Sequence, residues 1–432
     1  MSHQLQDQQQ LRLNIAKSKL AVKAFLGAGT QGEVYRVQRL DSGEELALKW
    51  YLPGKATPNQ KNIIADLIKR GSPDARFLWP MDTVSTEAGG FGYVMGLREN
   101  RFAGLLDLMT GQLETSLRAL ALAGMELSHA FLQLHARGLC YADISFGNAF
   151  FDPRTGEVRI CDNDNVTAPG VGSIGVLGTP RFMAPEIVRG DGQPNSESDL
   201  FSLAVLLFYM LHVHHPLEGR RELNIRCMDL PAMNSLYGTH PLFIFDPDNA
   251  DNRPVPGEQD NAILYWKLYP DFIKKCFLRT FTRGLHDPQQ RVRESEWRLE
   301  MARLADAIVY CSCGAENIPD TLGRSSCWSC HKTVTLPTRL QIEKQMVMLN
   351  HDTRLYPHHL DPSRRFDFSK PLAEVTRHPT HSEMWGLKNL SPVEWAMTSP
   401  DGTMRSVPSG KSVPLLPGVK LQMGVSRGEI LA

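Results

Sequence analysis

Apolar positions alternate with polar ones early in the chain and then recur every three or four residues, so a β-rich part precedes a helical part. Strand-like runs lie around Ala21 to Leu26, through Glu33 to Val37 and at Leu46 to Lys49, with Asp41-Ser42-Gly43 as the turn between the last two. Asn59 to Arg70 carries Ile63, Ile64, Leu67 and Ile68 at helical spacing, with Gly71 as the stop. Further strands near Leu78 and Tyr93 complete a small sheet. From Leu105 the texture is helical, most clearly over Leu117 to His135 and Asp199 to Leu211. Pro241 to Pro256, rich in Pro, Asp and Asn, predicts an ordered loop before a helix over Trp266 to Phe281. After Lys332 short apolar runs are broken at Leu390-Ser391-Pro392, Pro400-Asp401-Gly402, Ser409-Gly410 and Pro417-Gly418, the pattern of a small β-sandwich or barrel.

Composition narrows the classes of function. The 432 residues exceed what one core usually serves, and 42% apolar with 22% charged residues is ordinary for a folded globular chain. Lysine plus arginine equals aspartate plus glutamate at 47 each, so no overall field favours nucleic acid or an anionic membrane. The most apolar run, Leu200 to Leu211, is too short for a hydrocarbon layer of about 30 Å and reads as a buried helix. The opening MSHQLQDQQQ lacks the regions of a secretory signal and reads as a solvated tail, which predicts a cytoplasmic protein. Four of the eight cysteines crowd between Cys311 and Cys330, which suits a metal site in a reducing compartment.

The candidate chemistry begins at Gly27-Ala28-Gly29-Thr30-Gln31-Gly32-Glu33-Val34, a glycine-rich loop between two predicted strands. Glycines let backbone amides approach a triphosphate where a side chain would block it. A dinucleotide site would have a helix after this loop, whereas here a strand follows. Lys49 then closes Leu46-Ala47-Leu48 as a cation on a buried strand.

Leu134-His135-Ala136-Arg137-Gly138-Leu139-Cys140-Tyr141-Ala142-Asp143-Ile144-Ser145-Phe146-Gly147-Asn148 resembles the catalytic loop of the protein kinases, with Asp143 and Asn148 at the D-x-x-x-x-N spacing. Ile160-Cys161-Asp162 is similar to the strand end that carries the family's metal-binding aspartate. Gly178-Thr179-Pro180 and Ala184-Pro185-Glu186 look like the end of an activation segment. Asp199 resembles the aspartate that braces the catalytic loop, and Asp287-Pro288-Gln289-Gln290-Arg291 the late motif whose arginine pairs with Glu186. The resemblance implies an α+β, two-lobed fold with a β-rich N-lobe and a helical C-lobe. It implies Asp143 as catalytic base with Lys49 on the phosphates, and Asn148 and Asp162 on magnesium. Gly27, Gly29, Gly32, Val34, Ala47, Met95, Gly96 and Leu97 would surround the ATP, with Met95 as gatekeeper and Gly96 to Arg98 as the hinge. Thr179 resembles the serine/threonine class, so a protein hydroxyl is the implied acceptor, and Thr167, Ser173 and Thr179 are available to be phosphorylated.

Some positions depart from the family pattern. Tyr141-Ala142-Asp143 replaces H-R-D and so lacks the arginine that grips an activation-loop phosphate; Ser145 replaces the lysine that helps neutralise the transferring phosphate. Asp162-Asn163-Asp164 replaces D-F-G. No glutamate occurs between Glu45 and Glu87, so the first helix offers only Asp66 as an acidic partner for Lys49. These changes leave open a second reading, a nucleotide-binding pseudokinase adaptor that works through its C-terminal modules.

Cys311-Ser312-Cys313 and Cys327-Trp328-Ser329-Cys330 form two knuckles of a four-thiolate site suited to structural zinc, with a redox pair as the alternative and His331 beside the ligands rather than among them. Between Cys311 and Lys332 only Arg324 and Lys332 face Glu316 and Asp320, which argues against nucleic acid. Trp385 to Ser391 resembles a degenerate forkhead-associated sandwich without the Arg and Ser-x-x-His pattern that reads phosphothreonine, so docking or structure is its expected role. The expected boundaries are a flexible tail at 1–18, an N-lobe at 19–98, a C-lobe at 99–308, a zinc ribbon at 309–335 and a small all-β domain at 336–432. This layout, with Leu242-Phe243-Ile244-Phe245-Asp246-Pro247, resembles bacterial kinases that accompany a von Willebrand A-type tellurite-resistance protein and a PP2C-like phosphatase, which implies those partners and a role in phosphate signalling.

Overall fold

The computed structural model describes residues 3–87, 89–168, 178–319, 326–381 and 383–432. Ser173, Asp320 and Arg324 therefore lie outside the described residues. The chain divides into a first unit, 1–266 with 271–301, and a second, 267–270 with 302–432. Residues 302–308, which the pattern places in the helical lobe, group with the second unit.

The first unit opens with an antiparallel sheet of β1 (Gln10–Arg12), β2 (Lys19–Ala28), β3 (Gly32–Arg39), β4 (Glu45–Tyr51), β5 (Asp82–Ser85) and β6 (Phe91–Gly96), in the order β1-β2-β3-β4-β6-β5. The expected solvated tail is thus part of the sheet. Leu5, Leu11 and Leu13 are buried with Leu20, Tyr35, Leu48 and Val94, and the Asp82 carboxylate accepts the amides of Ile15 and Ala16. Leucines at alternate positions are enough to bury one face of an edge strand even in a glutamine-rich segment. The strand expected near Leu78 is displaced to β5, because Pro80 has no amide for a ladder. Leu78 instead gives its amide to the Ile160 carbonyl.

Helix α1 (Pro58–Arg70) is capped by the Thr57 side chain and stops at Gly71, whose φ of 69° suits a residue without Cβ. The helical part is built on α2 (Leu117–Ala136) and α3 (Ser196–His212), and every residue of α3 from Ser198 to His212 is buried. That burial explains its nearly continuous apolar sequence. Among the described residues no helix is long and apolar enough to cross a membrane. The helix expected over Trp266 to Phe281 is two helices, Asp260–Leu268 and Asp271–Phe281, divided at Pro270, whose ring cannot continue a helix. A small sheet pairs β7 (Ala103–Gly104), which precedes α2, with β8 (Ala149–Phe151) and β9 (Val158–Ile160), which lie between α2 and α3 in the chain.

The second unit begins with the hairpin β10 (Val309–Tyr310) and β11 (Glu316–Asn317) beside the cysteines. Two sheets follow. One holds β12 (Arg339–Ile342), β13 (Gln345–Met348), β17 (Trp395–Thr398), β18 (Met404–Val407), β20 (Lys420–Met423) and β21 (Ser426–Leu431), in the order β13-β12-β21-β20-β17-β18. The other holds β14 (Arg354–Leu355), β15 (Ala373–Arg377), β16 (Trp385–Asn389) and β19 (Ser412–Pro414), in that order. Leu340, Trp395, Leu421 and Ile430 from the first sheet and Leu355, Ala373, Leu387 and Val413 from the second share one core, which makes the unit a β-sandwich.

Candidate active site

Asp199, at the start of α3, accepts the backbone amides of Tyr141 at 2.5 Å and Ala142 at 3.0 Å. These bonds hold Ala142 at a φ of 67°, a conformation that costs a non-glycine residue about 1 kcal/mol or more unless its surroundings enforce it. The turn they enforce presents Asp143. Its Oδ1 accepts from the Thr179 hydroxyl at 3.0 Å, and its carbonyl accepts from Asn148 Nδ2 at 2.7 Å. Asp162 has a φ of 57° and ψ of 45°, so the chain turns sharply after β9, and Asp162 lines the same cavity as Asp143. Tyr141 bonds through its hydroxyl to the Cys161 carbonyl, which ties the two loops together.

Every nucleotide-site residue read from the sequence lines one cavity of about 540 Å³: Gly27, Gly29, Gly32, Val34, Ala47, Lys49, Met95, Gly96, Leu97, Asp143, Asn148 and Asp162. A Cβ on Gly27 or Gly29 would meet no atom within 4 Å, so both leave open room beside the cavity, while one on Gly32 would lie 2.5 Å from the Trp50 carbonyl. Gly32 is thus required by the close approach of β3 to β4. Leu78, Phe150 and Cys161 also line the cavity and escaped the sequence reading. For Phe150 a signal existed: it lies two residues past Asn148 on a strand, and so on the same face.

Lys49 is 5% exposed and contacts the carboxylates of both Asp162 and Asp164, the latter at 2.9 Å. Asp66 plays no part. Its side chain is 55% exposed and bonds Arg70 at 2.6 Å on the outer face of α1, whereas Ile64 and Leu67 form the buried face. A step of two residues from Ile64 turns a helix by about 200°, which carries Asp66 away from Lys49. The unread partner is Asp164, fully buried, both of whose oxygens lie 2.9 Å from Lys49 Nζ while Oδ2 also accepts from the Tyr51 hydroxyl. Burial, and the Asp164 carboxylate beside it, push Asp162 up to about 6 against the pull of Lys49. For Asp164 burial works in the same direction, but Lys49 and Tyr51 outweigh it and hold its pKa below the ordinary carboxylate value. Asn163, where the family has an apolar ring, is buried and gives Nδ2 to the carbonyls of Leu78 at 2.8 Å and Ile160 at 3.2 Å. Arg291 pairs with Glu186 through two bonds of 2.8 Å, as the late motif predicts.

The ligand atoms of Cys311, Cys313, Cys327 and Cys330 all lie within 4.8 Å of one another. The sulfur pairs Cys311–Cys330 at 3.6 Å and Cys313–Cys327 at 3.7 Å match the edge of about 3.8 Å of a tetrahedron built on bonds of about 2.3 Å. Asn317 Nδ2 points at Cys327 Sγ at 3.5 Å. Burial opposes ionisation of Cys327, yet the amides of Cys330 and Ser329 and the Asn317 side chain lower it to about 6. A second group, Asp306 with His358 and His359, is differently arranged. The Nδ1 atoms of His358 and His359 accept the amides of Phe366 and Tyr356, so each Nε2 carries the proton, and His359 faces Asp306 with it at 3.2 Å. Those rings are hydrogen-bonded supports.

The model of the protein kinase domain matches residues 20–277, more than half of the chain. The chain is 29% identical over 266 residues to the DNA damage-responsive serine/threonine-protein kinase RqkA of Deinococcus radiodurans, a match covering 54% of this chain and 37% of that one. It is 24% identical over 285 residues to the cytokinesis protein sepH of Aspergillus terreus, covering 66% and 19%. To the CBL-interacting protein kinase 3 of Oryza sativa subsp. japonica it is 25% identical over 214 residues, covering 46% of each. The chain therefore spans less than half the length of each of these relatives.

Proposed function

Because the chain belongs to the protein kinase family, we propose that its first unit transfers the γ-phosphoryl group of ATP to a serine or threonine hydroxyl of a protein. One observation carries the reading: Lys49, Asp143, Asn148 and Asp162, drawn from distant parts of the sequence, line a single cavity beside a glycine loop that leaves room for phosphates. The Asp162 carboxylate and the Asn148 carboxamide are the oxygen ligands that suit magnesium, which when bound neutralises charge on the phosphate oxygens. Lys49 places an ammonium on the same phosphates. Asp143 orients the acceptor hydroxyl and takes its proton as the oxygen attacks the γ-phosphorus and the bond to the departing ADP oxygen breaks. The Thr179 hydroxyl on Asp143 supports the serine/threonine class, because it fixes that carboxylate from the segment where the acceptor docks. Ser145 leaves the transferring phosphate without the usual second cation, which predicts slow turnover.

Incubation of the whole protein with γ-labelled ATP and magnesium tests this reading. Label is expected on the protein or on an added acceptor, and the von Willebrand A-type and PP2C-like proteins implied by the layout are the first acceptors to add. The Asp143→Ala variant should lose about 100-fold or more of the rate. Equal label in both proteins would overturn the assignment, and a nucleotide-dependent rise in melting temperature without transfer would favour the adaptor reading.

We further propose that Cys311, Cys313, Cys327 and Cys330 hold zinc as a closed structural site. The edge lengths support tetrahedral ligation, and Val309, Val334 and Met348 pack around the cysteines too sparsely to make a core alone. Metal analysis should find one zinc per chain. Four freely titrating thiols in a metal-free protein would refute it.

A further inference from the structure

We propose that Asp164 is the positioning residue for Lys49, in the role that a carboxylate on the first helix plays in the family's usual arrangement; the inference rests on the kinase reading above. A buried ammonium needs a carboxylate that is itself held in place. Among the described residues α1 offers only Asp66, which is exposed and bonded to Arg70. Lys49 has two other partners, and they differ in what else they can do. Asp162 lines the cavity with its side chain 37% exposed, so its carboxylate is open to a cation, and a magnesium ion held there would compete with Lys49 for its oxygens. Asp164 has no side-chain exposure, and both of its oxygens are committed, each lying 2.9 Å from Lys49 Nζ with Oδ2 also accepting from the Tyr51 hydroxyl. It holds the ammonium whatever Asp162 is bound to.

The geometry around Asp164 shows how the helix takes part without a charge. Gln60 of α1 gives Nε2 to the Asp164 carbonyl at 3.0 Å and to the Tyr51 hydroxyl at 3.2 Å. Asn163, buried in the same turn, fixes the loop from the other side through the Leu78 carbonyl. The helix therefore supports the ion pair through a neutral amide, and the pair itself lies inside the loop that carries Asp162. A side chain at 164 in place of the family's glycine makes this possible: it adds a carboxylate where the loop passes Lys49. Both members of the charge pair lie outside α1, on β4 and in the Asp162 loop, so the helix contributes no charge to lysine placement in this chain.

The test is a double-mutant cycle on the whole protein, read as kcat/KM for ATP and, separately, as melting temperature without nucleotide. Lys49→Met and Asp164→Asn are each expected to lower kcat/KM by about 100-fold, the scale of losing one charge contact to the transferring phosphate. The double variant should be no more than about threefold worse than Lys49→Met alone, because Asp164 acts only through the lysine. Asp66→Asn should change kcat/KM by less than about twofold. Full activity in Asp164→Asn, or a further 100-fold loss in the double variant, overturns the proposal. If Asp164→Asn does not fold, Tyr51→Phe replaces it: removal of the hydroxyl that fixes Asp164 should cost about tenfold in kcat/KM alone and nothing further beside Lys49→Met, and additive losses overturn the proposal. A wild type that moves no label sinks the kinase reading instead, and the ion pair is then judged by melting, where additive shifts of the single variants would reject it.

Discussion

Two buried cations of the first unit are held by opposite routes. Arg291, 1% exposed, pairs with Glu186 through two bonds of 2.8 Å and gives two further donors to the carbonyls of Gly284 and Glu197. Both members of that pair stand where the family motifs place them. Lys49, 5% exposed, is as well paired, but its fully buried partner Asp164 stands where the family has glycine and the helix that should supply a carboxylate supplies an amide. The difference teaches that the requirement lies with the charge and not with the position. Desolvating a cation costs several kcal/mol, so a chain that loses one partner must present another within reach.

The sharpest way to break this comparison is at the Arg291 end, where no substitute stands ready. Glu186→Ala leaves the guanidinium with two bonds to carbonyls and no counter-charge, and a loss of about 3–5 kcal/mol in unfolding free energy is expected. Denaturant unfolding of the nucleotide-free protein measures it. Arg291→Met with Glu186→Leu should recover most of that loss, since the pair is then replaced by apolar groups rather than halved. A Glu186→Ala loss below about 1 kcal/mol would mean that the carbonyls alone satisfy Arg291.

The comparison also shows what could be read from the sequence. The order β-rich then helical, the glycine loop, Asp143, Asn148 and Asp162 were legible because each is a short motif whose chemistry forces its spacing. Asp164 was not, because its role depends on a contact with Lys49 across more than a hundred residues, and the local sequence shows only a departure from D-F-G. Asp66 stays an open candidate in the sequence for the matching reason: helical periodicity gives a face, and the face holding Ile64 and Leu67 excludes Asp66, but the sequence does not say which face meets Lys49. The N-terminal strand was hidden by glutamines, whose composition outweighs three well-placed leucines when judged by content. In the second unit the sandwich followed from alternation and turn residues, but alternation carries no chemistry, so its role stayed unread.

A smaller effect sharpens the comparison through a cation that can be switched off. His135 of α2 lies between the carboxylates of Asp199, at 3.1 Å, and Glu294. Burial favours the neutral ring, but the hydrogen bonds and charges of Asp199 and Glu294 outweigh it and raise His135 from 6.5 to about 9. The folded state therefore binds this proton more tightly than the unfolded one. The stability gained is fully present below about pH 6.5 and is lost as pH rises through about 9; its size is on the order of 3 kcal/mol. The melting temperature of wild type minus that of His135→Gln should shrink across that window. A constant difference would show that His135 is neutral in the fold, and that Asp199 braces the catalytic loop without a counter-charge.

The smallest effect belongs to the one acidic residue of α1. Asp66 and Arg70 form an i,i+4 pair with side chains 55% and 46% exposed, the carboxylate on the N-terminal side as a helix prefers. Water already solvates both groups, so Asp66→Asn should cost about 0.3–0.5 kcal/mol at low ionic strength and less as salt is added. Thermal unfolding at two salt concentrations reads this directly. A loss above about 1 kcal/mol that persists in high salt would require a buried partner for Asp66 and would reopen its claim on the role assigned to Asp164. The ratio of the two aspartates' effects thus measures how completely burial, rather than position in the motif, decides which carboxylate serves the lysine.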